Sequence, residues 1–220
     1  DKVDQQNAQR VANFGSAVRF FANAALCVES SLAGTVSGAK AAASASSAAK
    51  IAFRANRATL IRESEQFANF VMATLSKTER GPVATTVLDK ITGQIFHGLN
   101  IGRKGAPPTA SELAHLKETL HPLLKKYVEK QEKILAEALR NGTMTEKMAK
   151  AAQAGTHSEV VALNNAIRAR IASGIGFSEG RLGEFMLRNR TLLDTARFRI
   201  PEPCFNCRPI TRGVHILFDL

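Results

Sequence analysis

From Ala39 to Arg80 the chain contains neither glycine nor proline, and alanine crowds the first part of that stretch. Nothing there stops a helix once it has started, and alanine is the strongest helix former. The Ala/Ser tract through Ala49 reads as a helix able to approach a neighbour closely, with a loosely ordered linker as its alternative. Beyond it, Phe53, Leu60, Phe67, Phe70, Val71 and Leu75 supply an apolar side, and Arg54, Arg57, Arg62, Glu63 and Glu65 fill other positions. At least one long helix is therefore required.

The same period runs through much of the remaining sequence. Val11, Phe14, Val18, Phe21 and Ala25 share one helical face within residues 5–32, and Gly34 stands where a left-handed cap would end that helix. Gly81-Pro82 closes the long stretch and opens a shorter helix through Val83, Val87, Leu88, Ile91 and Ile95, which stops near Gly98. Gly102-Arg-Lys-Gly-Ala-Pro-Pro108 is the clearest linker. Thr109 or Ser111 then caps a helix running to about Arg140, with Leu113, Leu120, Tyr127 and Ile134 seven apart and a bend or split at Pro122. Thr143-x-x-Glu146 has the form of a capping box for the next helix, which Gly155 ends. A further helix spans Ser158 to about Ser173 with Val161, Ile167 and Ile171 inward, and a last one Ser178 to Phe198 around Leu182, Phe185, Met186, Leu192 and Leu193. Pro201, Pro203 and Pro209 exclude helix interior thereafter, and His215-Ile-Leu-Phe is a candidate short strand. The expected fold is all-α, with six or seven helices and an extended, proline-containing tail. Its parts are an N-terminal helical half (1–101), a linker (102–108), a C-terminal helical half (109–198) and the tail (199–220).

Composition narrows the function classes. An apolar fraction of 45% excludes disorder, and no run of about eighteen apolar residues offers a membrane span. Three cysteines cannot build a disulfide-dense scaffold. The first residue is Asp1 and not Met, which reads as a processed or a trimmed chain. Cys204-Phe-Asn-Cys207 can contribute two ligands to tetrahedral zinc, which needs four in a structural site. No second cysteine pair exists, and the five histidines lack the partner spacing of a zinc finger. Two ordinary thiols that pack or touch a partner are the expectation, with no metal site. Cys27, between Leu26 and Val28, reads as a small core residue. No nucleophile elbow and no phosphate loop is present, so no catalytic residue is assigned and an enzyme is not expected.

Basicity is the remaining signal. The net charge is +11, and it is dispersed: +4 over residues 1–100, +4 over 101–150, zero over 151–180 and +3 over 181–220. The last segment uses arginine alone, at Arg181, Arg188, Arg190, Arg197, Arg199, Arg208 and Arg212. Guanidinium groups pair with carboxylate as readily as with phosphate, so these residues are the candidate partner-binding surface. The function expected is a non-enzymatic linker or scaffold that joins acidic protein subunits in a large assembly. The alternative is a protein that coats nucleic acid, of nucleocapsid or nucleoid type.

A sequence pI near 10, the absence of Trp, the first residue other than Met and the isolated Cys27, Cys204 and Cys207 go together with one family. In these features the chain resembles the basic linker polypeptides of phycobilisomes, particularly the gamma-type rod linkers of red algae. The resemblance implies a mainly helical chain inside rings of acidic light-harvesting proteins. It further implies a chloroplast location at the stroma or thylakoid surface, and covalent bilin on one or more of the three cysteines.

Overall fold

The computed structural model describes residues 38–77, 79–101, 108–146, 153–193 and 200–218, with the backbone alone for 38–46. The helix expected over 5–32, Cys27, Arg197, Arg199 and most of the 102–108 linker lie outside the described residues. In chain order the elements are helix α1 (Gly38–Thr74), strands β1 (Val83–Asp89) and β2 (Ile95–Leu99), and helices α2 (Ala110–Thr119) and α3 (Pro122–Arg140). Helix α4 (Ser158–Ala172), a 3-10 helix (Glu179–Glu184), strand β3 (Phe185–Thr191), the short α5 (Cys207–Ile210) and strand β4 (His215–Ile216) follow. The four strands form one sheet in the order β2-β1-β3-β4, antiparallel except for the β3–β4 pair. Among the described residues no helix is long and apolar enough to cross a membrane.

The sheet overturns the all-α expectation. Two segments read as helices are strands. Residues 83–98 form a hairpin in place of a helix. Its turn is built by Asp89, whose Oδ1 accepts from the amides of Ile91 at 2.9 Å and Thr92 at 3.3 Å, and by Gly93 with a positive φ of 69°. Residues 178–198 hold the 3-10 helix and then β3. Both misreadings have one cause. The sheet is covered on both faces, so the strands lack the alternation of polar and apolar residues that marks a half-exposed strand. In β1 the six residues Ala84–Asp89 are all buried: Ala84, Thr86 and Leu88 on one face, Thr85, Val87 and Asp89 on the other.

Helix α1 covers the first face, packing Phe67, Ala68, Val71 and Leu75 with Ala84 and Leu192, and Leu60 with Leu88 and Met186. Helix α4 covers the second with Val160, Leu163, Ala166 and Ile167 against Val87, Phe96, Phe185 and Leu187. Of the residues expected inward on α4, Ile167 is fully buried, whereas Val161 is half-buried and Ile171 exposed, with Val160 and Arg170 buried in their place. Fully buried side chains such as Leu60, Phe67, Leu163 and Ile167 each contribute about 1.5–3 kcal/mol. The α2–α3 pair adds Leu116, Leu120, Leu124 and Val128 to the α4 side of the core. Thr109 and Glu112 form a reciprocal capping box for α2, and Pro122 is the first residue of α3. Thr143 donates its hydroxyl back to the Ala138 carbonyl at 3.0 Å, which closes the end of α3.

Two contacts fix where α4 lies. At its start, β2 presents Gly98, where an added Cβ would stand 2.3 Å from the Ser158 carbonyl oxygen and 2.6 Å from the Ala162 nitrogen. Only glycine allows that approach. Toward its end, the fully buried Arg170 donates through Nε to Asp89 at 2.8 Å, through a second nitrogen to Asp89, and to Glu184 at 2.5 Å. Its guanidinium also lies 4.0 Å from the centre of the Phe185 ring.

Candidate metal centre

The first turn of α4 and the turn before α5 carry the chemistry. His157 is the residue immediately before α4, and its side chain makes no capping hydrogen bond. Its Nδ1 lies 3.2 Å from Cys204 Sγ and 3.3 Å from Cys207 Sγ. The two sulfurs are brought together by a tight turn in which the amides of Cys207 and Arg208 both donate to the Cys204 carbonyl at 3.0 Å. Buried Asn206, between them, accepts from Gln131 of α3 at 3.0 Å, and Thr211 bonds back to the Cys207 carbonyl at 2.9 Å. Segments 47 and 50 residues apart in sequence thus meet at one point.

One nitrogen and two sulfurs, all within 4.8 Å of one another, form a possible ligand set. Zinc at its ordinary distances of about 2.0 Å to nitrogen and 2.3 Å to sulfur separates such ligands by roughly 3.6 Å, close to what is observed. The protonation pattern suits a cation as well. The Cys207 hydrogen bond, opposed by burial and aided by His157, draws the Cys204 thiol down to about 4. The same contact, burial and the Glu159 carboxylate push Cys207 up. Zinc takes both sulfurs as thiolates, so an ion bound here would release a proton from Cys207. Among the described residues three ligands come together, which would leave a fourth tetrahedral position open, the pattern of a catalytic and not a structural zinc site.

Glu159, two residues after His157 and only 5% exposed, stands beside this cluster. Its Oε1 accepts from Asn189 Nδ2 at 3.0 Å, and its Oε2 lies 3.4 Å from Ser158 Oγ. Asn189 projects from β3, where it is paired with Thr85 of β1. Its Oδ1 accepts from Thr85 Oγ1 at 2.7 Å, and Thr85 lies 2.7 Å from Ser158 Oγ.

Of the arginines singled out from the sequence, the five among the described residues differ in burial and in partners. Arg188 is interior, donating to Ser64 at 2.9 Å and to the Ile61 carbonyl at 3.2 Å beneath α1. Arg181 bonds Glu184 at 3.0 Å, while exposed Arg208 pairs with Glu202 at 2.5 Å. Arg190 is half-buried and Arg212 exposed. Of the three cysteines proposed as bilin anchors, Cys204 and Cys207 turn their sulfurs toward His157, and Cys27 lies outside the described residues.

Sequence reasoning found the cysteine pair and missed His157 and Glu159. The signal was there: a histidine with a glutamate two residues later, upstream of Pro-Cys-x-x-Cys. A search for a second ligand pair passes over a third ligand that comes alone. Comparison of the chain with family models, curated proteins and solved structures finds no match, so the light-harvesting resemblance gains no support from it.

Proposed function

We propose that the chain is a zinc-dependent hydrolytic deaminase acting on the exocyclic amine of a nucleobase. The observation that carries this reading is the meeting of His157 Nδ1 with both thiols beside the buried carboxylate of Glu159. His-x-Glu followed by Pro-Cys-x-x-Cys is the residue pattern that zinc deaminases use, with the glutamate off the metal. Here it is written as His157-Ser-Glu159 and Pro203-Cys204-Phe-Asn-Cys207. His157, Cys204 and Cys207 would hold the ion. Zinc, when bound, supplies an activated water for attack on the amine-bearing carbon.

The chain's own part is proton handling. Asn189 holds Glu159 through Oε1, and the carboxylate would take a proton from the water and return it to the departing nitrogen. The balance is amine plus water to carbonyl plus ammonia. A nucleic-acid strand as substrate is favoured by the net charge of +11 and by Phe205. That ring lies between the two cysteines in sequence, is 64% exposed and offers a stacking surface, with Arg208 and Arg212 exposed nearby in the chain. This reading departs from the scaffold suggested by charge alone.

The test is zinc content by elemental analysis, together with deamination of cytosine and adenine in single-stranded DNA, RNA and free nucleosides. About one zinc per chain is expected. E159Q should keep its zinc and lose about 100- to 10,000-fold in rate. A parent protein that purifies and reconstitutes without zinc, or an E159Q variant as active as the parent, would sink the proposal.

A further inference from the structure

Asn189 is 1% exposed, and its side chain bonds to three separate parts of the chain. Its Nδ2 donates to Glu159 Oε1 at 3.0 Å and to the Pro201 carbonyl at 3.1 Å, and its Oδ1 accepts from Thr85 at 2.7 Å. Pro201 lies three residues before Cys204, on the strand of chain that delivers the sulfurs. The donors and acceptors can be ordered without ambiguity. A carboxylate and a carbonyl only accept, so the amide nitrogen must face them and the amide oxygen must face Thr85. The single Thr85 proton is therefore committed to Asn189, and Ser158 gives its own one proton to Thr85 at 2.7 Å and not to Glu159 Oε2 at 3.4 Å. The outcome is one directed chain, Ser158 to Thr85 to Asn189 to Glu159, with a branch to Pro201.

We infer that Asn189 is a positioning residue that clamps the His157–Glu159 turn and the Pro201–Cys207 segment in the spacing a metal needs. Three features carry this. Ordinary sheet pairing with Thr85 fixes the Asn189 backbone, so its side chain starts from a rigid frame. Both donated N–H groups are used, one on each ligand-bearing segment. The amide oxygen is used as well, on Thr85, so the side chain is held at three points. The inference rests on the metal reading above, since it concerns how that site is held together.

N189D keeps the shape and the acceptor for Thr85 but loses both donors, and N189L is a neutral replacement of similar volume. The measurements are zinc affinity, by competition with a coloured chelator, and the visible spectrum of the cobalt(II)-substituted chain. Both are compared at matched far-ultraviolet circular dichroism. Loss of such a supporting contact weakens metal binding by about 10- to 100-fold. That loss, with altered cobalt d–d bands, is expected in both variants. T85V, which removes only the bond to Oδ1, should lose less. A folded N189D or N189L that binds zinc and cobalt as the parent does overturns the inference about Asn189 and leaves the metal reading standing. A parent that takes up neither ion overturns both.

Discussion

His97 shows how burial at a single residue governs the response to acid. It sits on β2 with its ring stacked 4.1 Å from Phe67 and its Nδ1 3.1 Å from Thr86 Oγ1. Burial lowers its pKa from 6.5 to about 3. The unfolded chain takes up this proton near pH 6.5, and the folded chain holds out until about pH 3. Through that window the unfolded state binds more protons, so stability is intact above pH 6.5 and is lost as pH falls toward 3. At about 1.36 kcal/mol per unit, His97 removes on the order of 3 kcal/mol by pH 4. Urea unfolding at pH 7, 5 and 4 should show this decline, and H97Q should flatten it. Equal declines in the two proteins would assign the acid sensitivity elsewhere. Legibility at this scale was partial. Cys204 and Cys207 stood out because two like ligands at short spacing are conspicuous. Glu159 did not, because a lone carboxylate at the start of an apolar helix looks like an ordinary first-turn acid.

Elements were legible where one face met water. Helices α1 to α4 carry exposed sides, and their starts and stops followed the alanine run, Thr109, Pro122 and Ser158. Strand β4 was legible as the short apolar run from His215, but β1, β2 and β3 were not, because helices cover both faces of the sheet there and erase the period of two. Gly98 was read as a helix stop, yet it is the place where β2 and α4 touch backbone to backbone. G98A should therefore destabilise the fold by about 3 kcal/mol and weaken zinc binding, since the displaced turn carries His157. G180A is the control. An added Cβ there meets nothing within 4 Å, and the change should stay within about 0.5 kcal/mol. Thermal unfolding of the two variants separates these outcomes, and a G98A protein as stable as the parent would refute the close-packing account.

For the whole molecule, the sheet joins what lies on either side of residues 102–107, because β1 and β2 precede them and β3 and β4 follow. Linker composition alone carried no sign of that pairing. The cluster of His157, Cys204 and Cys207 is a second long-range tie, between segments 47 to 50 residues apart. An ion bound only by the folded chain adds about 2.7 kcal/mol at a hundredfold excess over its Kd. In a chain of this size that corresponds to about 5–10 °C in Tm. Zinc should raise Tm by that amount and a chelator should reverse it, while H157A should respond to neither. A parent whose Tm ignores zinc would remove the tie from the account of stability. The spacing of the ligands also sets a clock. A ribosome makes His157 and Glu159 first, then the whole of β3, and only afterwards Cys204 and Cys207. Any nascent chain short of Cys204 has His157 and Glu159 without the sulfurs beside them, so the order of translation itself delays the moment at which this cluster can exist.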